Sequence, residues 1–176
     1  MAERYSQNLA QIAALALARR DEFEVLMYRL QDDDDLDDAR LDQQIEALAA
    51  PIVAAIDCTQ CANCCRHLRV YLEPEDTQRL ANGLSLSQEA LEDYLERSQA
   101  QQAGEWASLR LVPCAFLRDS MCSIYPHRPN ACRLYPQFTP DFRWVLGDLL
   151  EGARLCPIIY HVLDALSQQI DAWLRE

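Results

Sequence analysis

Apolar residues recur at helical spacing from Ser6 to Leu30, at Leu9, Ile12, Ala13, Ala16 and Leu17 and then at Phe23, Leu26, Met27 and Leu30. The acidic run Asp32 to Asp35, with Asp37 and Asp38, interrupts this stripe. A second stripe, Leu41, Ile45, Leu48, Ile52 and Ile56, leads toward Cys58, so the first third of the chain reads as a helical hairpin. At the other end, Ile158, Val162, Leu166, Ile170 and Leu174 predict a closing amphipathic helix over 157–174. Between them the periodicity shortens. Alternation from His67 to Leu72 predicts a strand. Pro74 at a first helical turn, with Glu75 and Asp76 beside it, predicts a helix ending near Gly83. Ser85 with Gln88 three residues on predicts a cap for the next helix, which presents Leu91, Tyr94 and Leu95. Trp106 to Leu117 reads as extended, and Phe138 to Val145, around Pro140 and Asp141, as a hairpin.

From Pro113 to Pro157 the chain holds six of its eight prolines and four of its eight cysteines, at 114, 122, 132 and 156. So proline-rich a segment calls for an organiser other than regular ladders, and a metal site is a natural one. The expected fold is therefore α+β and mainly helical. An N-terminal helical hairpin, short strands and proline-rich loops converge on a cysteine-lined metal site, and a C-terminal helix closes the chain. Residues 1–56 form an acidic helical extension in this division, and residues 57–176 a cysteine-cluster metal-binding domain.

A chain of 176 residues suffices for one ordinary domain, which at this size buries roughly 70% of its unfolded surface without covalent staples. Its longest early apolar run, Ile12 to Ala18, is too short to span a bilayer. Glu3 and Arg4 precede it and Arg19 and Arg20 follow, so neither the basic start nor the cleavage site of a signal peptide is expected. The expected location is cytoplasmic, with no membrane partner, and there cysteines serve metal or catalysis before disulfides.

The net charge of −12 argues against nucleic acid as a partner, and it is unevenly spread. Residues 58–72 carry two arginines and no acid, and residues 110–135 four arginines against the single Asp119. Metal-bound thiolates make an anionic centre, which nearby guanidinium groups would compensate. A chain without lysine must also place all its positive charge on arginine, and both readings stand. The aspartate cluster lacks the glycine and terminal glutamate of a calcium loop, and reads as a solvated connection.

The run Cys58-x2-Cys61-x2-Cys64 can wrap three thiolates around one centre, as bacterial ferredoxin motifs do, and Cys156 with Pro157 is similar to the pair that ends such motifs. Zinc sites also use Cys-x2-Cys knuckles. Adjacent Cys64 and Cys65 are expected to point apart and to serve different centres or different metals of one cluster. One set would then be Cys58, Cys61 and Cys64 with Cys156, and the other Cys65 with Cys114, Cys122 and Cys132. With eight thiolates available, His67 and His127 are weaker ligand candidates. Tyr125 and Tyr135 read as core or cluster-shielding aromatics, Arg128 as facing the thiolates or anchoring a turn, and Pro129 as opening a short helix that carries Cys132.

These residues resemble the YkgJ-type cysteine-cluster family, also called CxxCxxCC and described as a zinc- or iron-chelating domain. The likeness rests on Cys58, Cys61, Cys64 and Cys65, Pro113-Cys114 with Phe116-Leu117, Cys122 to Tyr125, Arg128-Pro129, Cys132 to Pro136, and Cys156. It spans about residues 57–157 and leaves the N-terminal hairpin outside. Similar cysteine patterns occur in flagellin lysine methylases, where the segment looks like an iron–sulfur site. The resemblance implies metal chelation without supplying a reaction. The expected function is a metal-binding protein carrying an iron–sulfur cluster, for electron transfer with a protein redox partner or as an accessory to an enzyme. The alternative is a zinc-stabilised structural or interaction module without catalytic activity, and a weaker one uses the metal as a Lewis acid.

Overall fold

A computed structural model describes residues 5–97 and 106–173. In chain order its elements are α1 (Leu9–Ala18), α2 (Arg20–Gln31), α3 (Asp38–Ala55), α4 (Cys58–Cys61), α5 (Asn63–His67), β1 (Tyr71–Leu72), α6 (Pro74–Leu84), α7 (Gln88–Leu91), β2 (Leu95–Arg97), β3 (Ala107–Leu109), β4 (Leu117–Arg118), β5 (Met121–Cys122), α8 (Asn130–Leu134), α9 (Phe142–Gly152) and α10 (Pro157–Trp173). Short 3-10 turns lie at Glu92–Tyr94 and Tyr125–His127. The fold is α+β and mainly helical, and no helix among the described residues is long and apolar enough to cross a membrane. The chain forms two compact units, residues 1–57 with 136–176, and residues 58–135. It therefore crosses between units near residue 57 and again near 135, a second crossing absent from the sequence-based division.

The first unit packs α1, α2, α3, α9 and α10 around Ile12, Phe23, Leu30, Leu41, Ile45, Ile52, Phe142, Leu146 and Ile158, all nearly inaccessible. The stripe from Leu9 to Leu30 is broken at Arg19, where φ −107° and ψ 10° leave the helical region between α1 and α2. The break lets Arg19 pair with Asp164 and donate to Ser167 Oγ at 2.8 Å, tying the hairpin to α10. The acidic connection is organised by its own side chains and by one buried cation. Asp37 accepts the N–H groups of Ala39 and Arg40 at the start of α3. Arg143, only 6% exposed, donates to the carbonyls of Asp33 at 3.0 Å and Leu36 at 2.7 Å. Its Nε lies 2.8 Å from Asp38 Oδ1, close enough for an ion pair but out of line for a hydrogen bond.

The hairpin expected at Phe138 to Val145 does not form. Asp141 adopts φ 65° and α9 begins at once, with Phe142, Leu146 and Leu149 buried. Its cap is remote: Asp42 on α3 accepts the N–H groups of Asp141 at 2.8 Å and Phe142 at 2.9 Å. The closing helix is present as α10, and Leu174 of its predicted stripe lies outside the described residues.

The second unit carries a three-stranded antiparallel sheet in the order β1-β3-β2, with Leu72 opposite Ala107 and Leu95 opposite Leu109. Leu72, Leu80, Ala81, Leu91, Leu95, Leu109, Phe116 and Ile124 form its core. The strand predicted over His67 to Leu72 is only Tyr71–Leu72, because His67 belongs to α5. Glu73 and Asp76 form a reciprocal capping box that starts α6, as Pro74 suggested. Ser85, at φ 55°, ends α6 instead of capping α7, and that role falls to Ser87, which accepts from the Ala90 N–H at 3.2 Å. Tyr94 and Leu95 consequently leave the helix for a 3-10 turn and for β2. Of the extended run expected over Trp106 to Leu117, strand survives at Ala107–Leu109 and at Leu117. A two-residue turn opening on Asp119, at φ 55°, joins β4 to β5.

Candidate metal centre

Cys58, Cys61, Cys64 and Cys65 do not share one continuous helix. Ala62, at φ 48° and ψ 20°, separates α4 from α5, so the two pairs are set by the angle between two short turns. Arg66 fixes that angle by donating to Cys61 O and to Asp119 O, both at 2.8 Å, and so clamps the run onto the β4–β5 hairpin. The Cys114 N–H donates to Cys65 O at 2.8 Å, and α4 packs against β5, which carries Cys122. Cys114 and Cys122 both pack against the core of this unit. Cys132 rides on α8, which opens directly after Pro129, as its sequence suggests. Cys58 is exposed, and none of the eight cysteines is in a disulfide.

The thiols divide electrostatically. Cys65 is lowered to about 6, first by a hydrogen bond from Cys64, and then by the Arg66 and Arg128 guanidiniums working against partial burial. Cys114 and Cys122 are raised, chiefly by burial, with backbone N–H groups partly offsetting it and the Cys65 charge adding to it. Burial pushes Cys132 up to about 12, and the charges of Cys65, Cys114 and Cys122 push the same way. Such mutual influence requires proximity, so Cys65, Cys114, Cys122 and Cys132 are electrostatic neighbours with Cys65 as the pre-ionised member.

The sulfurs of Cys64 and Cys65 lie 4.0 Å apart, not turned away from one another as adjacent side chains were expected to be. Four thiolates about 2.3 Å from one tetrahedral ion stand about 3.8 Å from each other, so this pair has the spacing of two ligands of one ion. Among the described residues no three His, Cys, Asp or Glu side chains are already gathered as tightly as ion binding requires. The donor chemistry nevertheless suits a thiophilic metal, because the neighbouring titratable groups are thiols and residues 58–72 contain no carboxylate.

His67 Nδ1 lies 3.0 Å from the Asn63 carbonyl, and His127 lies against Gly83, where any added Cβ would meet the His127 Cβ at 2.5 Å. Arg128 stacks over Tyr125 at 3.5 Å from the ring centre and donates to its carbonyl at 3.0 Å, so it anchors the turn, and its charge helps to lower the Cys65 thiol. Cys156 is buried in the first unit, where its carbonyl accepts the Tyr160 N–H at the start of α10. Sequence reasoning placed Asp76 and Gly83 only at the start and end of a helix, and missed their contacts with Asn130 and His127 between Cys122 and Cys132.

No curated protein and no solved structure is significantly similar to the chain. A family model does match, over residues 57–152, more than half of the sequence and seven of its cysteines. The chain belongs to the CxxCxxCC family, described as "Putative zinc- or iron-chelating domain".

Proposed function

We propose that the protein carries a metal–thiolate centre ligated by Cys65, Cys114, Cys122 and Cys132, and that this centre is an iron–sulfur cluster used in electron transfer or as an accessory to an enzyme. The observation that carries the ligand set is geometric: the Cys114 N–H donates to Cys65 O at 2.8 Å, and Cys114 and Cys122 pack against the same core, so these thiols belong to one unit. A ligand site must be deprotonated to bind, and a thiolate already present at neutral pH gives the first bond without a proton cost. Arg66 and Arg128 would offset the anionic charge of the filled site, while Phe116 and Ile124, each under 5% exposed, keep water from its inner side. Cys58, Cys61 and Cys64 supply a second group of thiolates in the ferredoxin-like spacing, which is what favours iron–sulfur. A bound cluster of this type supplies one-electron transfer, and the chain's part is to hold it, compensate its charge and shield it.

Zinc is the second reading: the 4.0 Å separation of the Cys64 and Cys65 sulfurs suits two ligands of one ion, in which case Cys64 joins Cys65 in place of one of the thiols above. It would make the unit a structural module, the zinc contributing directly to folding. Anaerobically prepared protein separates the two. Iron–sulfur protein is brown, with a broad visible absorption that bleaches on reduction, whereas a filled-shell ion absorbs nothing there. Colourless anaerobic protein with stoichiometric zinc would sink the electron-transfer reading. Metal analysis of Cys65→Ser and Cys61→Ser then tests the ligand grouping, with Cys65→Ser expected to empty the centre shared with Cys114, Cys122 and Cys132.

A further inference from the structure

Around the cysteines of the second unit, arginines are held in an unusual way. Arg66 donates to the carbonyls of Cys61 and Asp119, and Arg118 to those of Ala115 and Leu117. Arg128 donates to Tyr125 O, and Arg133 to the carbonyls of Arg128 and Pro126. Among the described residues none of these four guanidiniums has a carboxylate within ion-pair distance. By contrast Arg19, Arg20, Arg29, Arg69, Arg79, Arg97 and Arg143 all meet Asp or Glu, while Arg110 donates to the carbonyls of Glu92 and Leu95. With 28 acidic residues against 16 arginines, unpaired arginines cannot reflect a shortage of partners.

Carbonyl hydrogen bonds orient a guanidinium without neutralising it, so each of the four keeps its full charge in a fixed position. Arg66 and Arg128 act on Cys65, and their charge is engaged by the thiolates. Arg118 and Arg133 are exposed and are in excess of that need. Interspersed with them are Met121 at 51%, Tyr125 at 38% and Leu134 at 47% exposure, an apolar component that a merely solvated basic surface does not require.

We propose that the exposed stretch 117–134, which comprises the β4–β5 hairpin, the Tyr125–His127 turn and α8, with α8 tied to that turn through Arg133, is a docking surface for an acidic segment of a partner protein. Charge complementarity selects that occupant: pre-oriented guanidinium forks match carboxylates in pairs, and the aromatic and aliphatic side chains between them take the partner's apolar contacts. The proposal extends the metal-centre reading by naming the class of partner that approaches it, and it holds for either metal.

The test uses metal-loaded full-length protein and a fluorescent octaglutamate peptide. Saturable binding is expected in spite of the chain's net charge of −12, weakening as salt is raised. Arg118→Glu with Arg133→Glu should lose roughly tenfold or more in affinity while metal content stays at the wild-type level. Arg118→Glu alone, on an exposed strand, gives a smaller loss and guards against a folding defect in the double variant. On the wild-type chain, peptide should slow amide exchange over residues 117–134. Absence of saturable binding, equal affinity of the charge-reversed variants, a footprint elsewhere, or tighter binding of a single-stranded oligonucleotide than of the peptide would each overturn the proposal. A colourless or metal-poor preparation bears on the metal reading alone, because metal content is read separately.

Discussion

Asp76 Oδ1 accepts the Asn130 N–H at 2.8 Å, so a carboxylate that is 1% exposed on α6 caps the helix carrying Cys132. The same carboxylate accepts the Glu73 N–H at 3.1 Å and pairs with Arg79 at 2.9 Å. Asp76→Ala leaves these three donors without their acceptor, and should destabilise the metal-loaded protein by about 3 kcal/mol. It should also weaken metal binding, since Cys132 loses its fixed position. Denaturant midpoints and a chelator competition check the two effects, and unchanged values for both would show that the cap is dispensable.

Gly83→Ala ordinarily stabilises a helix interior by about 0.5–1 kcal/mol. Here the new methyl would meet His127 at 2.5 Å, an overpacking cost of about 1–3 kcal/mol. The clash wins, so a net loss of stability is expected. Adding His127→Gly should relieve most of it, which a double-mutant cycle on thermal midpoints measures. Additive losses would place the strain elsewhere.

Metal loading should release protons unevenly. At pH 7 Cys65, lowered to about 6, is already mostly thiolate, whereas Cys114 and Cys122 are raised and Cys132 sits at about 12. Each zinc ion bound by these thiols should therefore release about three protons, and affinity should climb with pH as the raised thiols ionise. Calorimetry in buffers of different ionisation enthalpy counts the protons. In metal-free protein Cys65 should also be the first of these four to be alkylated near neutral pH, read by mass spectrometry.

Removing the metal should loosen residues 113–135 and spare α9. The sequence suggested that the whole stretch from Pro113 to Cys156 depends on the metal, but Phe142, Leu146 and Leu149 bury α9 in the helical unit. Amide exchange before and after chelation distinguishes the cases, and equal loss of protection across residues 113–156 would favour the wider dependence.

Asp42→Ala removes the cap of α9 and should cost about 1–2 kcal/mol in the first unit, with little effect on metal content. Thermal unfolding together with metal analysis reads both.

Where the sequence was legible, the signal was local. The stripes of α3 and α10, the Pro74 start of α6 and the Pro129 start of α8 each depend on neighbours in sequence. The misread elements depend on distant ones. Nothing near Asp141 announces α9, because its capping acceptor is Asp42, about a hundred residues earlier. The helix break at Arg19 follows from partners on α10. At the candidate metal centre, cysteine count and spacing pointed to a thiolate site, but the left-handed Ala62 reoriented the first run. The sequence grouped Cys65 with Cys114, Cys122 and Cys132, a grouping that metal analysis of the variants decides, while the facing sulfurs of Cys64 and Cys65 were not foreseen.

The helical unit is assembled from both ends of the chain, with residues 58–135 running between its two parts. Packing α3 against α10 and α2 against α9 must therefore close a loop made of the whole intervening segment. For a flexible segment of that length the entropy of closure amounts to about 4 kcal/mol. A folded segment has its ends already held, and most of that penalty disappears. Metal bound among the cysteines thus shortens the effective loop that the helical unit has to close, and it can raise that unit's stability through connectivity alone.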